Sequence, residues 1–374
     1  MEAPVYIHIP FCVKKCLYCD FVSYKHNDDM VDRYVNALIN EIKLRSGHKA
    51  KTVYIGGGTP TCIDRKYLKG ILGTLHRNLD MAACSEITIE ANPGTLDREK
   101  LETLVEMGVN RLSIGLQSWN EKELKRLGRI HGRDEFVANY VLAREAGFKN
   151  ISVDLMFGIP GQEMEDWKET IMEVSALEPE HISCYSLRIE ENTPFHRMAE
   201  LGEIAEIDEA VDREMYHYAA DYLSDRGYHR YEISNFARKG RECHHNLFYW
   251  ENRPFLGIGA AAHSYENGKR FWNTPDLDEY CIMLERSIIP VKGSETIDLG
   301  TEIFETIFLG LRTSKGILFD DFYGRFGFDI REKHGSRIEK LREMGLVDVT
   351  ISGFHLTPMG IDLSNTVFIE FITD

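Results

Sequence analysis

The stretch "IPFCVKKCLYCDF", residues 9–21, places cysteines at 12, 16 and 19, and puts an aromatic side chain, Phe21, where a fourth nearby ligand could sit. Spacings of four and then three would also line the sulfurs along one stripe of an α-helix. From Cys12 to Cys19 such a helix rises about 10.5 Å at 1.5 Å per residue, too long a line for one compact metal centre to bridge. Pro10 and the strand-like run before it favour a loop that wraps around something instead. A closed zinc site usually pairs two C-x2–4-C halves with four ligands in all. Here a fourth would have to come from far away, from Cys62 or a histidine. The third reading is an iron–sulfur cluster held by three thiolates, with one iron lacking a protein ligand.

Outward from this loop, strand-like runs alternate with amphipathic helices. The runs are "VYIHI" (5–9), "TVYIGG" (52–57), "EITIEA" (86–91), "RLSIGLQ" (111–117), "ISVDLMFG" (151–158) and "HISCYSLRI" (181–189). Between them, Val31, Tyr34, Val35, Leu38 and Ile42 keep helical spacing, as do Leu101, Leu104 and Val105, then Phe136, Tyr140 and Val141. "EMGVN" and "EAGFKN" end helices on a glycine immediately before the next strand. Six such units predict parallel strands joined by right-handed crossovers. Polar or glycine residues sit near the C-terminal end of nearly every strand (Gly56–Gly58, Glu90, Gln117, Asp154). That suits an α/β fold of the partial (β/α)6 barrel type, with its site at that rim.

The barrel is assigned to residues 1–225. Residues 226–294, rich in aromatics, histidine and glycine, read as a segment that closes the barrel's side. Residues 295–374 read as a small winged-helix-like domain, with helical runs at 302–313, 318–326 and 335–344 and two strand-like runs joined at Ser352–Gly353.

The 374 residues carry a formal charge of −16, which argues against nonspecific nucleic-acid or anionic-membrane binding, and no nucleic-acid partner is expected. "MEAPVYIHIPF" lacks the basic start and apolar core of a signal peptide. No run approaches the ~18 apolar residues of a membrane span, so a cytoplasmic location is expected. Eight cysteines, three of them crowded together, point to metal or catalysis rather than a disulfide framework. The other five read as ordinary thiols.

Joined to "GGGTPT" (56–61) after the second strand, C-x3-C-x2-C becomes specific. The chain resembles the radical S-adenosylmethionine (SAM) family. Within it, the nearest likeness is the branch holding oxygen-independent coproporphyrinogen III oxidase and the HemW-type heme chaperones, and it runs through almost the whole chain. It implies that Cys12, Cys16 and Cys19 ligate a [4Fe–4S] cluster. It also implies that the open iron binds SAM, and that an electron from the cluster cleaves SAM to a 5′-deoxyadenosyl radical. It assigns SAM contacts to Tyr6, Gly57, Gly58, Thr59, Glu90, Gln117, Arg129 and Asp154. Glycine N–H groups suit a carboxylate, and Arg129 can pair with one bidentately. Tyr6 reads equally well as a core strand tyrosine.

Two features separate the chain from the oxidase. The oxidase pattern continues with a further cysteine after the third; here Cys19 is followed by Asp20 and Phe21. "CHHNLFYW" (243–250) carries H-N-x-x-Y-W, a pattern of the chaperone branch. His245 and Tyr249, and more weakly His263, are therefore candidates for contact with heme, the alternative for the first two being a hydrogen-bonded turn closing the barrel. The resemblance thus implies a chaperone that binds cluster, SAM and heme. Its partners would be heme-acceptor proteins, an electron donor such as flavodoxin or ferredoxin, and the membrane transiently through acceptors. The rival readings are a radical SAM enzyme acting on a tetrapyrrole, the oxidase included, and a zinc-stabilised nucleic-acid module.

Overall fold

In the fourth strand-like run, 111–117, every second residue is apolar and every second one polar or glycine, and the same alternation builds the whole barrel. The computed structural model describes residues 2–372. Its six central strands are β1 (Glu2–Ile9), β2 (Lys49–Gly57), β3 (Glu86–Ala91), β4 (Arg111–Gln117), β5 (Ile151–Phe157) and β6 (His181–Ser186), each parallel to the next. Leu112, Ile114 and Leu116 of β4 join the apolar core, whereas Arg111, Ser113, Gly115 and Gln117 line a cavity on the other face. Register carries this across the sheet. Glu90 lies opposite Ser113, Ser113 opposite Ser152, and Asp154 opposite Ser183. A parallel sheet with both faces dry reads as continuous apolar runs; here one face reads polar because it lines a cavity.

Helices α1 (Asp28–Leu44), α2 (Arg65–Asn78), α3 (Arg98–Glu106), α4 (Glu121–Arg126), α5 (Arg133–Glu145), α6 (Met164–Ala176), α7 (Pro194–Glu200) and α8 (Glu209–Ser224) connect the strands or follow them. The two glycine stops form as expected. Gly108 (φ +86°) and Gly147 (φ +106°) take left-handed backbone. The next N–H groups reach back from Val109 to the Leu104 carbonyl and from Phe148 to the Ala143 carbonyl. Three short strands extend the sheet, β7 (His229–Arg230) and β8 (Asn235–Ala237) beyond β6, and β9 (Leu256–Ile258) beside β1. The order is β9-β1-β2-β3-β4-β5-β6-β8-β7, and the edges β9 and β7 do not pair, so the barrel is partial.

Glu41 of α1, fully buried, ties the stretch after β9 to the barrel. It accepts from the Gly259 N–H (2.9 Å), Asn273 Nδ2 (2.8 Å) and the Tyr280 hydroxyl (2.6 Å). The C-terminal part runs helix (Leu299–Gly310), strand (Ile317–Leu318), helices (Phe319–Phe326, Ile330–Glu343) and two strands (Val347–Val349, Gly353–Leu356). Its strands pair antiparallel, giving the order of a winged helix. Among the described residues, no helix is long and apolar enough to cross a membrane.

Candidate cofactor site at the barrel rim

The cysteine loop is held to the barrel by backbone bonds rather than by helical geometry. The Leu17 N–H donates to the Leu127 carbonyl (3.0 Å), the Phe195 N–H to the Leu17 carbonyl (3.0 Å), and the Thr59 N–H to the Phe11 carbonyl (2.7 Å). Cys12, Cys16 and Cys19 all line the mouth of a cavity of about 510 Å³ that runs down into the barrel. None of the eight cysteines is in a disulfide. Among the described residues, no three His, Cys, Asp or Glu side chains converge on a position for a single ion, as a compact zinc site would require.

The polar rim residues gather around those cysteines. Thr59 Oγ1 donates to Cys12 Sγ (3.6 Å), and Arg129 Nη1 donates to Cys16 Sγ (3.5 Å). Arg129 Nη2 also donates to Asn92 Oδ1 (2.7 Å) and to the Gly115 carbonyl, while its buried Nε finds no partner. Glu90 accepts from the Tyr54 hydroxyl (2.8 Å) and the Gly57 N–H (3.1 Å), and burial pushes its carboxyl up to about 7. Asp154 accepts from Ser113 (2.9 Å) and Ser183 (2.7 Å). Gln117 stands at φ +77° beside a register shift in β4, the kind of local strain that re-aims a side chain at a site. Cys12, Cys16, Cys19, Gly57, Gly58, Thr59, Glu90, Gln117, Arg129 and Asp154 therefore share one cavity wall.

Tyr6 does not join them. Its hydroxyl bonds His8 Nδ1 (2.9 Å) and its ring stacks behind Tyr54, itself a lining residue, so that Tyr6 is not part of the cavity wall. The glycine loop also differs from expectation. The N–H of Gly57 is engaged by Glu90, that of Gly58 by the Ile9 carbonyl (3.0 Å) and that of Thr59 by Phe11, so none is left for a carboxylate. The glycines are needed for closeness. A Cβ on Gly58 would lie 2.6 Å from the Phe11 carbonyl oxygen, and one on Gly57 2.6 Å from the His8 ring.

His245 and Tyr249 sit at the opposite end of the barrel. Helix α9 (His244–Trp250) closes the floor, and Glu86, at the start of β3, accepts from the N–H groups of His244 and His245 (both 3.1 Å). The His245 ring is fully taken: Nδ1 meets the Thr52 hydroxyl (2.8 Å) and Nε2 the Tyr249 hydroxyl (3.0 Å). Burial, helped by the Arg111 guanidinium, pushes this imidazole down to about 3. Both ring nitrogens of His245 are thus engaged, which is the arrangement of the alternative reading, a hydrogen-bonded turn that closes the barrel. His263 lies elsewhere, on an exposed strand outside the barrel.

Tyr54, Asn92 and Arg111 line the cavity and were missed by motif reading. Alternation would have found them, since Tyr54, Gly56 and Thr88, Glu90 and Arg111, Ser113 each repeat every second residue along a strand whose other face is Ile, Leu or Val.

Comparison with known proteins fits this geometry. Residues 6–174 match the radical SAM superfamily model and residues 297–363 the HemN C-terminal domain, so barrel, cysteine loop and C-terminal part define a protein of the radical SAM class. The solved structure of the radical SAM enzyme coproporphyrinogen III oxidase (HemN) from Escherichia coli shares the fold, with a TM-score of 0.86 over 100% of this chain and 90% of that one, at 22% identity. The heme chaperone HemW of Bacillus subtilis (strain 168) is 38% identical over 98% of each chain, and that of Lactococcus lactis subsp. lactis (strain IL1403) is 35% identical over 99% of this chain and 97% of its own. The chain belongs to the HemW family.

Proposed function

We propose that this chain is a heme chaperone, which binds heme and passes it to acceptor proteins, and that it carries a [4Fe–4S] cluster and SAM at the barrel rim. The carrying observation is 38% identity over 98% of both chains to a protein named heme chaperone HemW. Phe21 supports it from the residues: it is 65% exposed at the cavity mouth, where the oxidase pattern has a further cysteine.

Cys12, Cys16 and Cys19 would hold the cluster as thiolates. The orphaned Arg129 Nε, beside three cysteines on one cavity wall, fits a bound group at this position. Gly57, Gly58 and Thr59 would lie against the methionine part of SAM, and Arg129 would answer its carboxylate. Glu90 would accept from ribose hydroxyls, with Asp154 and Gln117 beside it. When bound and reduced, cluster and SAM supply the one-electron chemistry of the superfamily; flavodoxin or ferredoxin would be the electron source. A cytoplasmic location and transient membrane contact through acceptors complete the reading.

Heme titration of anaerobically purified protein tests it. One Soret-absorbing heme per chain is expected, and no stoichiometric band, with or without the cluster, would overturn it. Incubation with reductant, SAM and coproporphyrinogen is expected to yield no protoporphyrinogen. Its formation with substrate-dependent 5′-deoxyadenosine would replace the chaperone by the oxidase.

A further inference from the structure

A heme carrier needs an iron ligand, and two of the three candidate side chains are hydrogen-bonded to each other in the barrel floor. His263 differs from them in each respect. It opens the strand His263–Glu266, is exposed, and makes no hydrogen bond through its ring to any described residue. Its ring stacks on Trp272, the residue directly opposite in the antiparallel pair, with centroids 5.7 Å apart and planes 25° from parallel.

Trp272 is itself held in place. Its neighbour across the next strand is Gly293, where an added Cβ would come within 2.5 Å of the indole. The indole therefore packs closely over Gly293, and the imidazole stacked on it makes no hydrogen bond through either nitrogen to any described residue. Partial burial and the Arg270 guanidinium hold His263 below the usual histidine range, so the ring is neutral near pH 7 and keeps the lone pair that iron needs. Among the described residues, His244 and His355 also lack ring partners, but neither stacks on an aromatic side chain.

We infer that His263, seated on Trp272, is the axial ligand through which this protein holds heme. The inference rests on the chaperone reading. His263 would hold the iron through a free ring nitrogen, and Trp272 would offer the porphyrin an adjoining aromatic surface. An exposed, single-histidine site also leaves the opposite face of the iron open, where an acceptor's ligand can reach it before His263 lets go. A site at His245 would require the barrel floor to open.

Heme titrations of wild-type protein, His263→Gly and His245→Ala decide the matter, with circular dichroism confirming that each variant is folded. His263→Gly is expected to shift the Soret band and weaken binding by at least about 10–100-fold, the loss produced by removing even a supporting group at a metal site. Added imidazole should restore the band, and Trp272→Leu should weaken binding in the same direction. His245→Ala, where folded, should titrate like wild type. If wild type takes up heme and His263→Gly gives the same band and affinity, the assignment falls and the chaperone reading stands. If wild type takes up no heme, both fall.

Discussion

The two ends of the barrel hold the two sequence motifs that look most like ligand sites, and their side chains are in opposite states. At the rim, Cys12, Cys16, Cys19 and Arg129 line an open cavity, and a buried guanidinium N–H there has no partner. At the floor, Glu86, Thr52, His245 and Tyr249 form a closed chain of hydrogen bonds. Residue types that ligate metals are common to both; at the rim they line open space, whereas at the floor both nitrogens of the His245 ring are already hydrogen-bonded. Rim residues should therefore govern ligand binding and floor residues stability.

The largest expected effect is at the rim. Replacing any one of Cys12, Cys16 or Cys19 by Ala should abolish the cluster, read as iron and sulfide content after anaerobic reconstitution, with little change in the far-ultraviolet circular dichroism. A variant that kept full iron would break the comparison. Next, Gly58→Ala places a Cβ 2.6 Å from the Phe11 carbonyl oxygen, which is backbone and cannot step aside. It should lose SAM binding by equilibrium dialysis and drop in stability by about 1–3 kcal/mol, the usual scale of enforced backbone strain.

At the floor, Glu86→Ala strips the acceptor from two N–H groups and should cost about 1–3 kcal/mol in denaturant unfolding, the range for buried polar groups left unpaired. SAM affinity in that variant should match wild type. The smallest effect is a pH dependence. Glu90 has its carboxyl raised from 4.5 to about 7, so the fold prefers the protonated form. Its stabilising contribution is full below pH 4.5 and is lost as pH rises through about 7. Stability of the cofactor-free protein should fall across that window, and Glu90→Gln should flatten the fall.

Much of the barrel was legible because its signals are local. Strands 86–91 and 111–117 have the ends that their composition suggests, and Gly108 and Gly147 stop their helices where expected. The rim was legible because cysteine spacing and a glycine loop lie at strand ends. The floor was not. Whether His245 has a lone pair to give depends on Thr52, 193 residues earlier in the chain, and no spacing rule reports that. The glycine loop misled in a smaller way: its composition announces close approach, but it is the cysteine loop that comes close, and the N–H groups are consumed in holding it.

The plugged floor has a consequence for traffic. With α9 across one end, the lumen opens at the rim, and that opening is framed by the cysteine loop. A small molecule seated at the rim would therefore lie over anything held deeper, while cargo held on the outer face at His263 would come and go on its own clock.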